Sequence, residues 1–189
     1  KTIDRFGKIA EGNTISDYDP EEKKRKISIS TSIIPCEWDN IKINILDTPG
    51  YFDFVGEMIE ALRAVDTAVI TLSGKSGVKV GTEKAWEYVN TLNIPRAFFI
   101  NKLDRENSDF EKVLNQLKDS FGMPVVPIQY PIGKEEEFKG VINLIDKKAR
   151  IFNPKNEKME VSEIPTELLT KVDEYRKIDR KSTRLNSSH

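Results

Sequence analysis

The chain of 189 residues contains one cysteine and one histidine. A lone thiol, Cys36, excludes a disulfide within the chain, and without a Cys/His cluster there is no zinc-ligand pattern. Cys36 lies in an apolar stretch and reads as a small hydrophobe. Long apolar runs are also missing. None approaches the roughly 20 residues needed to cross a bilayer, and the first residues lack the apolar core of a signal peptide. A cytoplasmic protein with no membrane association is expected. Nor is there an excess of charge of one sign: 30 basic residues against 31 acidic ones leave a net charge of −1. No overall basic field argues for direct DNA binding, so an RNA partner has to be argued from a site. The length suffices for one domain with a sizeable core.

The last eleven residues, Asp179-Arg180-Lys181-Ser182-Thr183-Arg184-Leu185-Asn186-Ser187-Ser188-His189, are polar, without period, and follow a helical pattern abruptly. They resemble the translation of a sequencing-adapter oligonucleotide and are expected to be an artefact without order. The only histidine, His189, lies inside this stretch, which leaves none for catalysis or metal binding.

Two motifs stand out, each at the carboxyl end of an apolar run. Ala97-Phe98-Phe99-Ile100 reads as a buried strand that delivers Asn101-Lys102-Leu103-Asp104. Sheets of α/β proteins bind ligands beyond the carboxyl ends of their strands. A carboxylate at the fourth position can accept two N–H bonds together, and guanine offers two adjacent donors, its ring N1–H and exocyclic amine. Adenine presents an acceptor and a lone amine there, so the wrong base leaves a buried charge unpaired. Asn101 would donate to the far edge of the purine, and the aliphatic stem of Lys102 would cover its face. Taken alone, the tetrapeptide also fits an ordinary surface turn.

The second motif lies upstream. Ile41-Lys42-Ile43-Asn44-Ile45-Leu46 alternates, turns apolar and ends on Asp47-Thr48-Pro49-Gly50. Asp47 is a hard oxygen ligand suited to magnesium, directly or through water. Pro49 and Gly50 form a tight turn in which a backbone N–H can approach a phosphate oxygen. Alone, this too fits a plain strand-to-helix turn capped by Asp53. Both motifs together, one strand and one helix apart, point to a guanine nucleotide.

Around these motifs the periodicity predicts an α/β fold. Residues 1–26 show an acidic run, Asp17 to Glu22, then a basic one, Lys23 to Lys26, which suits an exposed, mobile segment. Residues 27–33 alternate as a strand, and Trp38-Asp39-Asn40 suits a hairpin turn. A helix carrying Phe54, Met58, Ala61, Leu62 and Val65 would be capped by Asp53. Then follow a strand over 68–72, a helix over 82–92 with Trp86 as a packing residue, a strand over 96–100, a helix over 108–120 and a strand over 125–129. Such alternation predicts a mostly parallel sheet flanked by helices. Beyond Gly133, short antiparallel strands over 138–145 and 149–152 and an acidic helix over 166–175 suggest the start of an inserted subdomain.

Arg25-Lys26-Ile27-Ser28-Ile29, Asp47-Thr48-Pro49-Gly50-Tyr51-Phe52-Asp53-Phe54 and Asn101-Lys102-Leu103-Asp104 together resemble the GTPase domain of translation elongation factor G. The likeness continues through Pro131-Ile132-Gly133 and Phe138-Lys139-Gly140-Val141 and covers essentially everything before Asp179. It implies an incomplete P-loop NTPase-type fold, with 1–132 a partial GTPase domain, 133–178 the start of the inserted subdomain and 179–189 the adapter-like stretch. It further implies GTP/GDP and Mg2+ as cofactors, the ribosome as partner, a monomeric parent, and GTP hydrolysis during elongation or translocation. A ribosome-protection or peptide-release GTPase, or a non-hydrolysing guanine-nucleotide docking module, remain alternatives.

Residue by residue, the resemblance assigns Asp47, Thr48, Pro49, Gly50, Asn101, Lys102, Leu103 and Asp104 to the nucleotide, with Asp104 on guanine and the Gly50 amide sensing the terminal phosphate. Ser28 and Asp47 fall to magnesium, Asp47 through water. Ser28 stands where the family usually has a threonine; it keeps the oxygen and loses a methyl. The terminal phosphate would order the flanking loops. Lys23 to Lys26 lie beside them, either as a solvated charge run or as contacts to ribosomal RNA phosphates.

Three departures follow. Tyr51 occupies the place of a histidine that orients the attacking water, and a phenol accepts protons poorly at neutral pH, so hydrolysis is expected to be slow or differently triggered. The phosphate loop Gly-x-x-x-x-Gly-Lys-Ser/Thr is missing: Gly7 to Thr14 imitates its spacing but has Asn13 for the lysine and no apolar strand before it. Phosphate contacts supply much of the binding in such proteins, so the polypeptide as given is expected to bind GTP weakly or not at all. The last guanine-contacting loop and all later domains would lie past Asp179.

Overall fold

Acidic residues at the front of a short segment and basic residues at its back complement the dipole of a helix, and Pro20–Arg25 forms one, α1. Asp19 caps it by accepting Glu21 N, while the Glu22 carboxylate reaches back to Asp19 N in a reciprocal capping box. The segment expected to be mobile is therefore fixed from residue 19 onward. The computed structural model describes Gly7, residues 11–122, 125–153 and 158–186, with side chains as far as residue 178. It divides into two compact units, Lys1–Ile70 with Val80–Ala97, and Thr71–Lys79 with Phe98–His189.

In the first unit the hairpin β1 (Ser32–Trp38) and β2 (Ile41–Asp47) pairs antiparallel from Ser32↔Asp47 to Trp38↔Ile41. Asp39 and Asn40 at its tip both have positive φ, 49° and 61°, as a two-residue hairpin turn of matching twist requires. Residues 27–31, expected to be strand, are not. The backbone N–H groups of Ile29 and Ser30 donate to the Glu22 carboxylate at 2.9 and 3.1 Å, and Thr31 N donates to Glu57 Oε2 at 2.6 Å. Donors held by side-chain carboxylates are not available to a ladder.

After Gly50 a 3₁₀ turn, Phe52–Phe54, leads into α2 (Val55–Leu62). Asp53 lies inside the turn and caps nothing; Phe54 N bonds Tyr51 O and Val55 N bonds Phe52 O, so backbone carbonyls satisfy the donors that a side-chain cap would have taken. Strand β3 (Ala68–Ser73) pairs with β4 (Arg96–Asn101) across the helix α3 (Val80–Thr91). Ala68 N donates to Pro95 O and Gly74 N to Asn101 O, a constant offset that makes the pair parallel. Trp86 lies beneath the Arg96 guanidinium, 4.1 Å from its ring centre, so it packs within the unit.

In the second unit α4 (Phe110–Phe121) begins at Asp109, whose side chain accepts Lys112 N, and stops at left-handed Gly122. Its buried Val113 and Leu117 meet Leu72, while Leu114 joins Ile132, Ile142, Leu144, Ala149, Val172 and Tyr175. Ile132, Ile142 and Ala149 belong to an antiparallel sheet of β5 (Gln129–Ile132), β6 (Gly140–Asn143), β7 (Lys148–Asn153) and β8 (Lys158–Ser162), Leu144 to the β6–β7 connection, and Val172 and Tyr175 to α5 (Leu169–Asn186). The strand expected over 125–129 begins only at Gln129, and Val125 ahead of it packs against the core cluster. Residues 179–186, expected to lack order, continue the backbone of α5, as Arg, Lys and Leu extend an existing helix at little cost.

Among the described residues the parallel arrangement is thus confined to β3 and β4. Two-residue and four-residue connections join β1 to β2 and β6 to β7, and short turns can link only antiparallel neighbours. Glu111 on α4 anchors α5: its carboxylate accepts from Tyr130 Oη at 3.0 Å and Tyr175 Oη at 2.5 Å and pairs with Lys171 Nζ at 3.0 Å. Burial would raise the Glu111 pKa, but these three donors outweigh it and lower it. Burial and the same carboxylate push Tyr130 up to about 12 and raise Tyr175 as well. No helix among the described residues is long and apolar enough to cross a membrane.

Glu22 is only 1% exposed, and burial alone would raise its pKa. Bonds from the backbone N–H groups of Ile29, Ser30, Asp19 and Tyr18 outweigh burial, so the net shift is downward from 4.5. A lowered folded pKa contributes stability that is complete above that ordinary value and is lost as pH falls through the folded one. Glu22→Gln should cost about 1–3 kcal/mol at neutral pH. Thermal unfolding followed from about pH 6 to about pH 3 should show the gap to wild type closing; a gap independent of pH would remove Glu22 from this role.

Candidate functional site

The candidate residues fall into two groups, one in each unit. In the first, β2 carries Asp47 to its carboxyl end, opposite Ser32. Asp47 and Thr48 are half-buried, Pro49 is buried, and Gly50 is exposed. A Cβ built on Gly50 meets nothing within 4 Å, so there is open space beside this residue. Tyr51 follows, 57% exposed, at the head of the 3₁₀ turn.

Ser28 lies in the segment tied to α1. Its hydroxyl donates to Asp17 Oδ1 at 2.7 Å, and Thr14 donates to Asp17 Oδ2 at 2.9 Å. Asp17 is 8% exposed and so receives two hydroxyl donors in a buried setting. A hydroxyl that has given its proton away keeps its lone pairs, which suits an oxygen ligand for a cation. Among the described residues no group of three or more His, Cys, Asp or Glu side chains could form a closed metal cage. The Ser28 hydroxyl and the Asp47 carboxylate are hard oxygen donors, a chemistry that suits magnesium.

The ties on this segment were the feature hardest to foresee. Glu22, Asp17 and Glu57 hold residues 28–31, and Ser32 Oγ bonds Ser16 O. The spacing of Asp19 and Glu22 is that of a capping box and was the available signal. The stretch that imitates a phosphate loop falls partly outside the described residues; within it, Asn13 Nδ2 donates to Glu11 Oε2 at 2.9 Å.

In the second group, β4 ends at Asn101, whose carbonyl accepts Gly74 N at 2.7 Å. Its side-chain Oδ1 turns back to accept Lys102 N at 2.8 Å, which leaves the amide NH2 to face a ligand acceptor. Lys102 is left-handed at φ 61° and exposed. Leu103 turns inward, so close to Gly74 that a Cβ there would stand 2.8 Å from Leu103 Cδ2. Leu103 O accepts both Ser108 Oγ at 2.8 Å and Glu135 N at 2.9 Å. The Asp104 carboxylate projects outward, 60% exposed, with Arg105 Nε at 3.6 Å, an exposed pair of little energetic weight. This group thus presents an amide donor and a carboxylate on either side of a turn whose apolar member is the anchor.

Comparison with known proteins places these residues in context. The chain is 40% identical over 174 residues to an elongation factor G from Granulibacter bethesdensis, covering 91% of this chain and 25% of that protein. It is 38% identical over 176 residues to an elongation factor G from Salinibacter ruber, covering 92% and 25%. A crystal structure of a protein from Thermus thermophilus superposes with a TM-score of 0.85 at 34% identity, over 93% of this chain and 26% of that one. The chain spans about a quarter of the length of the curated relatives it matches. Residues 1–183 match the Elongation factor Tu GTP binding domain, a P-loop GTPase fold. The α/β chain described here belongs to that family.

Proposed function

We propose that this chain is the guanine-nucleotide-binding part of a ribosome-associated GTPase of the elongation factor G kind, whose parent binds and hydrolyses GTP during elongation or translocation. The observation that carries this is the turn after β4. Asn101 keeps its NH2 toward solvent while Asp104 holds a carboxylate three residues on, which matches the acceptor edge and paired donors of guanine. Asp47 and Ser28 would hold magnesium, Asp47 through water; the ion, when bound, neutralises phosphate charge. The amide of Gly50, an exposed residue with open space at its Cβ position, would meet the terminal phosphate. Thr48 and Pro49 shape that turn, and the ribosome is the partner expected from relatives named elongation factor G.

A second reading, a non-hydrolysing docking module, is favoured by one residue. Tyr51 offers a phenol where a base would be needed, and its exposed ring could contact a partner as readily as a water.

Asp104→Asn in the full-length protein replaces an acceptor with a donor. Titration calorimetry should show GDP affinity falling about 100-fold, with xanthosine diphosphate, which carries an oxygen at the amine position, now bound in preference. Retained GDP affinity would take Asp104 out of the site. For Tyr51→His, single-turnover hydrolysis on ribosomes should rise by about tenfold or more; equal rates would favour the docking module. Gly50→Ala places a methyl in open space, so unfolding free energy should change by less than about 1 kcal/mol while the preference for GTP over GDP shrinks. A large loss of stability would show that Gly50 serves the fold instead.

A further inference from the structure

Both ends of the turn that carries Asp104 are held by one residue from the connection between β5 and β6. Glu135 N donates to Leu103 O at 2.9 Å, and Glu135 Oε1 accepts Asn107 N at 2.8 Å. Leu103 immediately precedes Asp104 and Asn107 closes the same turn, so the two bonds bracket the carboxylate.

The turn needs such a bracket. Asn101, Lys102, Asp104, Arg105, Glu106 and Asn107 are all exposed, and only Leu103 and Ser108 contribute burial. Lys102 and Asn107 are left-handed at φ 61° and 63°, a conformation non-glycine residues hold only when their surroundings over-determine it. Its internal bonds are long, Arg105 N to Lys102 O at 3.3 Å and Ser108 N to Arg105 O at 3.2 Å. Beyond these, Lys102 N on Asn101 Oδ1, Ser108 Oγ on Leu103 O and the two Glu135 bonds hold its backbone.

Glu135 is itself rigidly presented. It sits in the connection between β5 and β6 at φ 54°, with Phe138 N on its carbonyl at 3.1 Å and Glu137 N on Lys134 O at 3.0 Å. Lys139 N closes the loop onto Ile132 O at 2.9 Å. Gly133, at φ 77°, lets the chain fold this tightly, since a Cβ there would overlap the Glu137 carbonyl oxygen. The β5–β6 connection is thus a preformed wall against which the turn rests.

We propose that Glu135 is a positioning residue for guanine recognition: its N–H and carboxylate fix the Leu103–Asn107 turn so that Asp104 meets both donors of the base. This rests on the proposed reading of Asp104 as the guanine contact. It makes the first turn of the inserted sheet part of the specificity apparatus. A carboxylate that must engage two donors at once is more sensitive to small displacements than one that engages a single donor. Hypoxanthine keeps the ring N1–H and lacks the exocyclic amine, so the ratio of guanine to hypoxanthine affinity reports the placement of Asp104.

The test is equilibrium titration of the full-length protein with GDP, IDP and ADP, for wild type, Glu135→Ala and Glu135→Gln. Alanine keeps the backbone donor and loses the acceptor; glutamine keeps both. Glu135→Ala should weaken GDP about tenfold and IDP much less, reducing their ratio severalfold, while Glu135→Gln restores it. Amide exchange should show Asn107 N–H losing protection in Glu135→Ala and keeping it in Glu135→Gln, a readout independent of nucleotide. An unchanged ratio, or an equal loss for both nucleotides, overturns the positioning role and leaves the guanine reading intact. Wild-type protein that does not prefer GDP over ADP overturns the guanine reading and the positioning role with it.

Discussion

Gly74 is the junction on which the second unit depends. Its N–H goes to Asn101 O and its carbonyl takes Asp109 N–H, so one residue joins the end of β3 to the end of β4 and to the start of α4. Its missing side chain lets Leu103 and Ser108 close over it. From that joint the candidate turn is launched on one side and α4 on the other. Glu111, in the first turn of α4, then receives Tyr130 and Tyr175 and brings in the four-stranded sheet and α5. The Asn101–Asp104 group is therefore built from the packing of this unit outward, and a defect in the joint would reach Asp104 through the short run of chain that follows Asn101.

What could be read from residues alone followed interaction range. The hairpin turn at Asp39 and Asn40, the helix after Asp109 and the strand ending at Asn101 all rest on local chemistry, and each lies where periodicity and turn residues put it. Residues 27–31 alternate like a strand without forming one, because alternation is a statement about side chains, whereas a ladder is made by backbone donors. Carboxylates seven to twenty-six positions away took those donors. The strand β8 was invisible for the opposite reason. All five of its residues are exposed, so no apolar face marked it, and its pairing with β7 alone defines it. Helix α5 beyond residue 178 similarly reflects extension of an existing nucleus more than any periodic signal.

The same limit applies to the β1–β2 hairpin. Trp38 opposite Ile41, Cys36 opposite Ile43 and Ile34 opposite Ile45 place six apolar residues on one face, and such cross-strand pairs hold the hairpin together. Alternation made the pairing legible. It did not reveal cover, for Trp38 is 76% and Ile41 62% exposed. An apolar face of this kind is a liability in water, since unpaired strand edges beside it invite association.

The proposed recognition of a base by the turn after β4 turns on solvation of its carboxylate. The Asp104 carboxylate is well solvated, so its charge by itself gives little selectivity: water competes for the same lone pairs. Selectivity arises when a base displaces that water, because only paired donors replace what is lost. The energy available at that moment is reduced by any ordering the turn still has to undergo. Two left-handed non-glycine residues mark the Lys102–Asn107 segment as one that would not keep this shape alone. Glu135 N and Ser108 Oγ donating to Leu103 O, and Asn107 N donating to Glu135 Oε1, supply the order in advance, before any ligand arrives. Specificity at an exposed carboxylate is in this sense a property of the backbone beneath it, and the residues that hold that backbone lie outside the motif by which the site is recognised.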